Sequence, residues 1–182
     1  MKLHTPFIAH LLDPAGTHAQ GPLFFKTFIK KLLPDTLFEN YDPAYVSVVD
    51  ELWCGEGVGQ IDLFINHSAR HNPYAIVIEN KINAGDQQLQ LVRYKNYLDS
   101  LRHIQAGSKR IFYLKPLGGF PSEYSVEATL LADWQSQGLF QMISYKTHII
   151  EWLEDCMDNI KAIKVRVMVE QYLQLLKSIC NE

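Results

Sequence analysis

The chain has 182 residues, 47% of them apolar and 20% charged, with a formal net charge of -3. That is enough apolar material for one domain with a full core, and too much for a disordered chain. The charge excludes a protein that coats nucleic acid through bulk attraction, while a local basic groove stays open.

Near the N-terminus Phe7 to Leu12 is apolar, but His10 interrupts it and Asp13-Pro14 closes it, which makes a poor signal peptide. Ala15 to Gly21 reads as a loop. Pro22 to Leu33 reads as a helix, with Pro22 in the first turn, Pro34 as a stop, and Phe25, Phe28, Ile29 and Leu32 on one face. Tyr45 to Trp53 is rich in valine and aromatic residues and predicts a first strand. Glu56 between two glycines predicts a turn, and Gly59 to Asn66 a second strand. After a polar connection, Tyr74 to Lys81 predicts a third strand whose unbroken apolar run suits a central position.

The period then changes. From Asp86 to Arg102, Leu91, Tyr94, Leu98 and Leu101 recur at helical spacing, with Asp86 as the N-cap. Arg110 to Leu114 predicts a fourth strand, and the helix before it implies a crossover, hence parallel pairing of the third and fourth strands. Gly118, Gly119 and Pro121 mark a long turn. Leu139 to Ser144 predicts a short fifth strand, and Thr147 to Met157 and Ile163 to Ile179 two terminal helices. These terminal stripes read as core, a homodimer face being the alternative. The expected fold is α/β, a central mixed sheet flanked by α-helices. It forms one domain over 1–182: a helical part (1–44), a central sheet and helix (45–115), and a final strand with helices (116–182).

Cys54, Cys156 and Cys180 are odd in number and far apart, so neither a zinc knuckle nor a disulfide framework is suggested. A reducing cytoplasm fits. No apolar run approaches the length of a membrane span, so no membrane partner is expected.

Three charges stand out because they lie on apolar strands, where they are costly unless used. Residues two apart on a strand face the same way, so Glu79 and Lys81 project to one side of the third strand. If the second strand pairs with it as a hairpin, Asp62 reaches that side too. Asp62 and Glu79 would then bind one hard cation through oxygen, Mg²⁺ with Mn²⁺ as a substitute, completed by waters and a scissile phosphate. The metal would acidify a bound water, and Lys81 would polarise that water or stabilise the pentavalent phosphorus. The backbone carbonyl of Asn80 is a further ligand candidate. The plainer reading is an ion pair at a strand end with Asp62 as a neighbour.

The run Gln60-Ile61-Asp62-Leu63-Phe64-Ile65, then Ile76-Val77-Ile78-Glu79-Asn80-Lys81-Ile82-Asn83-Ala84-Gly85-Asp86-Gln87, then Gln90-Leu91-Val92-Arg93-Tyr94, resembles the PD-(D/E)XK nuclease superfamily. It is closest to a bacterial branch with an IENK…DQ…QLxxY pattern. Leu11 to Pro14 with His18, Tyr113-Leu114 with Pro121-Ser122, and Ile143 to Tyr145 with Trp152-Leu153 resemble weaker landmarks, so the likeness covers most of the chain. It implies a restriction-endonuclease-like fold and metal-dependent hydrolysis of phosphodiester bonds, with DNA favoured over RNA and defence or repair as the setting.

By position, the resemblance makes Asp62 and Glu79 metal ligands and Lys81 the catalytic lysine. No proline precedes the aspartate here, a departure from the pattern that names the superfamily. It also implies that Gln90 and Tyr94, one turn apart, face the site and hold substrate. Against this, Tyr94 sits on the core stripe with Leu91 and Leu98. Glu51 is the additional upstream metal ligand that some members use, or else a sheet-edge glutamate facing water. His18 reads as a hydrogen-bonding residue, Asp86 as a helix-start residue, and Gln87 as support for either the site or the helix start. Arg93, Lys95, Arg102, Lys109, Arg110 and Lys115 read mostly as a solvated face, with a phosphate groove as the alternative. The functional rivals are a catalytically silent member that binds nucleic acid or protein, and an unrelated α/β domain carrying a surface ion network.

Overall fold

In the computed structural model, β1 (Val46–Trp53), β2 (Gln60–His67), β3 (Tyr74–Asn80), β4 (Lys109–Lys115) and β5 (Phe140–Ser144) build one mixed sheet in the order β1-β2-β3-β4-β5. Residues 3–82 and 84–181 are described, Thr36 without its side chain. β1, β2 and β3 pair antiparallel through short turns. β4 then pairs parallel to β3, and β5 parallel to β4, because α4 (Gln90–Ser100) and α5 (Ala128–Ser136) carry the chain back between them.

β3 is central, and every residue from Tyr74 to Glu79 is buried. Alternation divides its side chains: Ile76 and Ile78 join one core, Ala75 and Val77 the other. The first core is closed by α1 (His4–Leu12), α2 (Leu23–Leu32), α6 (Ile150–Met157) and α7 (Ile163–Asn181), with Phe28, Trp152 and Leu176 fully covered. α3 (Thr36–Glu39) adds Phe38. Trp152 also satisfies its indole N–H on Phe24 O at 2.9 Å, so burial of the ring is worth on the order of 2–3 kcal/mol without an orphaned donor. The second core lies under α4 and α5, with Leu91, Leu98 and Trp134.

The terminal helices spend their apolar stripes on the first core, so the homodimer face suggested as the alternative finds no support. Three helices appear where the sequence pattern named none, the four-residue α3 and the longer α1 and α5. α1 has no side-chain cap and carries Pro6 in its first turn; α5 has no side-chain cap and buries only Leu131 and Trp134. α4 begins at Gln90 rather than Asp86, because Leu89 is in the left-handed region at φ +51° and Asp86 is engaged elsewhere. Among the described residues no helix is long and apolar enough to cross a membrane.

Candidate active site

The site starts from a break in strand alternation. Leu63 and Ile65 face the first core and Phe64 the second, so strict alternation sends Ile61 to the first. Instead Ile61 packs in the second core, with Leu52 of β1 opposite it. Glu51, just before Leu52, sits at this break with φ +52°, a strained conformation for a residue with a Cβ. The pairs Asp50↔Leu63 and Leu52↔Ile61 set Glu51 across from Asp62. One step beyond Leu63↔Ile78, the same register sets Asp62 across from Glu79. Three carboxylates therefore come level on adjacent strands.

Glu79 is 2% exposed and Lys81 4%. Lys81 keeps the strand direction through its N–H to Leu114 O at 2.8 Å, so both side chains share a face. Lys81 Nζ lies 2.6 Å from Glu79 Oε1. It also donates to Gln90 Oε1 at 2.8 Å and Gly85 O at 3.0 Å, which uses all three of its protons. Gln90 Nε2 donates to Glu79 Oε1 at 2.9 Å. The Tyr94 hydroxyl lies 2.7 Å from Glu79 Oε2 and 2.8 Å from Gln60 O, one proton facing two acceptors. Burial first, and then the charge of Asp62, push the Glu79 carboxyl up to about 7, against the pull of Lys81 and Tyr94. Burial also raises the Tyr94 phenol, with Glu79 adding to it, so the phenol stays protonated and remains a donor.

Asp62 is half-buried and accepts the Asn80 N–H on Oδ2 at 2.8 Å. Glu51, Asp62, Glu79 and Lys81 line an open cleft of roughly 450 Å³, together with Gln60, Gln87 and Gln90 and with Leu3 and the first α1 residues His4 and Thr5. Among the described residues, no three His, Cys, Asp or Glu side chains already stand close enough to hold a metal together. The donor set instead fits the open arrangement that Mg²⁺ takes: one or two carboxylates, with waters and phosphate oxygens filling the rest.

Gln90 and Tyr94 both touch Glu79, and Tyr94 is also on the core stripe with Leu91 and Leu98. Asp86 accepts from the Tyr113 hydroxyl and from the Ser122 N–H and hydroxyl, each at 2.7 Å, and so staples the loop after β3 to the loop after β4. It caps no helix. His18 is buried away from the cleft, bonded to Asp13 O and the Gln20 N–H, and it orders the turn between α1 and α2. Gly16 is required beside it, since a Cβ there would stand 2.9 Å from His10 O.

Of the basic residues, Arg93 donates to the cleft-lining Gln87 at 3.1 Å and Lys115 ends β4 on the Glu79 side. Lys95 pairs with Asp99, and Lys109 and Arg110 lie at the start of β4, the end away from Glu79. Pattern reading left His4, Thr5, Gln60 and the Asn80 side chain out of the site. Only the tertiary fold brings them there, although the polar Asn80 within an apolar strand end was a signal available in the sequence.

No curated protein matches the chain, and no solved structure does. A family model described as the PD-(D/E)XK nuclease superfamily matches residues 1–181. The match spans nearly the whole mixed α/β sheet domain, and the chain belongs to the PD-(D/E)XK nuclease superfamily.

Proposed function

We propose that the protein is a metal-dependent nuclease that hydrolyses phosphodiester bonds of nucleic acid, DNA before RNA, at the cleft between α1 and the ends of β1, β2 and β3. The observation that carries this reading is the buried Glu79–Lys81 pair on the cleft floor, with Asp62 beside it. A buried ion pair is a poor source of stability, and a second carboxylate that raises Glu79 makes it poorer. The strained Glu51 at the same level adds to that cost. Local rules broken together in one cleft point to function.

Asp62 and Glu79 are the residues to hold a divalent cation, Mg²⁺ or in its place Mn²⁺, with Glu51 and the Asn80 carbonyl as further oxygen donors. Such an ion, when bound, supplies Lewis-acid chemistry that acidifies water and offsets phosphate charge. Gln90 and Tyr94 orient the Glu79 carboxylate from both oxygens. Lys81 lies where it can hold the attacking water or a phosphate oxygen, on giving up one of its three present acceptors. Water adds to phosphorus, the P–O ester bond breaks, and the products are a phosphomonoester and a hydroxyl end.

Two observations favour the rival, a silent binding module: Lys81 is fully engaged, and among the described residues no ready cluster of three metal-ligating side chains exists. Cleavage of mixed DNA and RNA substrates with Mg²⁺ or Mn²⁺, beside Lys81→Ala, separates the two. The nuclease reading expects metal-dependent cleavage that the variant loses by at least a hundredfold. Nucleic-acid binding with no cleavage under any of these conditions would establish the rival.

A further inference from the structure

The first turn of α1 also lines the cleft, and one side chain holds it there. Asn80 lies between Glu79 and Lys81 in sequence but faces the other way on β3. Its Nδ2 donates to Thr5 Oγ1 at 2.9 Å, and its Oδ1 accepts from the Tyr145 hydroxyl at 3.0 Å. Its main-chain N–H separately holds Asp62 Oδ2. Tyr145 packs edge-on to the His4 ring with centroids 5.7 Å apart, and the Tyr172 hydroxyl lies 2.9 Å from His4 Nδ1. His4 is thus fixed by one nitrogen and one ring face. Its Nε2 has no partner among the described residues, and the residue lines the cleft.

The chemistry of the cleft gives that nitrogen a use. Among the described lining residues, His4 and Lys81 are the only side chains able to carry positive charge. Lys81 has its three protons committed. A phosphodiester entering against three carboxylates needs a donor from another wall. The Tyr172 hydroxyl can donate to Nδ1, and in that tautomer the ring proton of His4 sits on Nε2. Burial lowers the His4 pKa, so a neutral N–H donor is the form present at neutral pH.

We propose that His4 binds a non-bridging phosphate oxygen of the nucleic acid through Nε2, and that Asn80, acting through Thr5 and Tyr145, is the positioning residue that keeps α1 in place for it. This rests on the nuclease reading and deepens it by naming the group that holds the substrate.

The test is steady-state cleavage of whichever DNA or RNA oligonucleotide the wild type cuts, with Mn²⁺ titration of each variant by calorimetry. For His4→Ala the expected result is a rise in KM of about tenfold, the worth of one hydrogen bond to a charged group. kcat should stay within about twofold and Mn²⁺ affinity should be unchanged. His4→Gln, which retains an N–H donor, recovers most of the loss. Asn80→Ala leaves the main-chain bond to Asp62 intact, so it too raises KM without weakening Mn²⁺ binding. Adding it to His4→Ala causes little further loss. Tyr145→Phe makes the same test if Asn80→Ala folds poorly. An unchanged KM in His4→Ala, with an active wild type, overturns this inference alone. A loss confined to kcat or to Mn²⁺ affinity overturns it as well. A wild type that neither binds nor cuts any nucleic acid overturns the nuclease reading and this inference with it.

Discussion

The Glu79 carboxyl, pushed up to about 7 by burial and by Asp62, ties the stability of the metal-free protein to pH. In the unfolded chain it titrates near ~4.3, so between about 4.3 and 7 the native state binds more protons than the unfolded one. The contribution of Glu79 is therefore fully present below that window and is lost as pH rises through it. Asp62→Asn removes the neighbouring charge and keeps an oxygen for the Asn80 N–H. Urea unfolding without metal should show this variant about 1 kcal/mol more stable than wild type at pH 8, with no gain near pH 4. An equal gain at both would mean that carboxylate repulsion is not the cause. Tyr94→Phe acts in the opposite sense, removing a hydroxyl that holds Glu79 down. Its Mn²⁺ affinity should fall more at pH 6 than at pH 8 by calorimetry, because the metal must displace a proton more often at the lower pH. Asp62, Glu79 and Lys81 could be named from the sequence because strand period alone puts two of them on one face. His4 could not, and the polar Asn80 gave a signal without a role, since their meaning comes from Tyr145 and Tyr172, residues far away in the chain.

At the scale of elements, Asp86 shows how a helix boundary is decided from outside the helix. Its position five residues before the periodic stripe argues for a cap, yet it bonds Tyr113 and Ser122, and α4 waits for Gln90. Burial works to raise this carboxyl, but the Ser122 N–H, the Tyr113 hydroxyl and the Ser122 hydroxyl outweigh it and hold it below its ordinary value. The staple is consequently present above the ordinary aspartate range and is lost as pH falls through the lowered value. Asp86→Ala should cost about 1–2 kcal/mol in denaturant unfolding, with new protease cleavage in the loop from 116 to 127. Destabilisation without new cleavage there would place the effect elsewhere. The strands were legible because β2 and β3 are long apolar runs bounded by glycine and polar turns. α1 and α5 were not, because each is nine residues long without a side-chain cap, and α5 buries only Leu131 and Trp134. The left-handed Glu51 that breaks the alternation of β1 and β2 left no mark in the sequence at all.

Over the whole molecule the net charge is -3, and the cations that could face a phosphate backbone are scattered along both ends of α4 and β4. The loop that lines the cleft at Ala84, Gly85 and Gln87 and the loop after β4 both expose apolar side chains. Leu89, Leu117, Phe120 and Tyr124 are all exposed, and Leu89 N–H to Tyr124 O at 2.8 Å joins the two loops that carry them. Attraction that depends on neutralising phosphates falls steeply with salt, with a slope near -0.9 per phosphate contacted on duplex DNA, whereas stacking of bases on aromatic rings depends little on it. Nucleic-acid binding by this protein should therefore show a shallow salt dependence, about three phosphates or fewer in the slope of log K against log salt. Phe120→Ser and Tyr124→Ser should each weaken it by roughly tenfold without changing that slope. Anisotropy titrations with a labelled oligonucleotide in Mn²⁺ at several salt concentrations measure both. A slope worth six or more phosphates, unmoved by either substitution in affinity, would assign the binding to charge after all and remove these two loops from it.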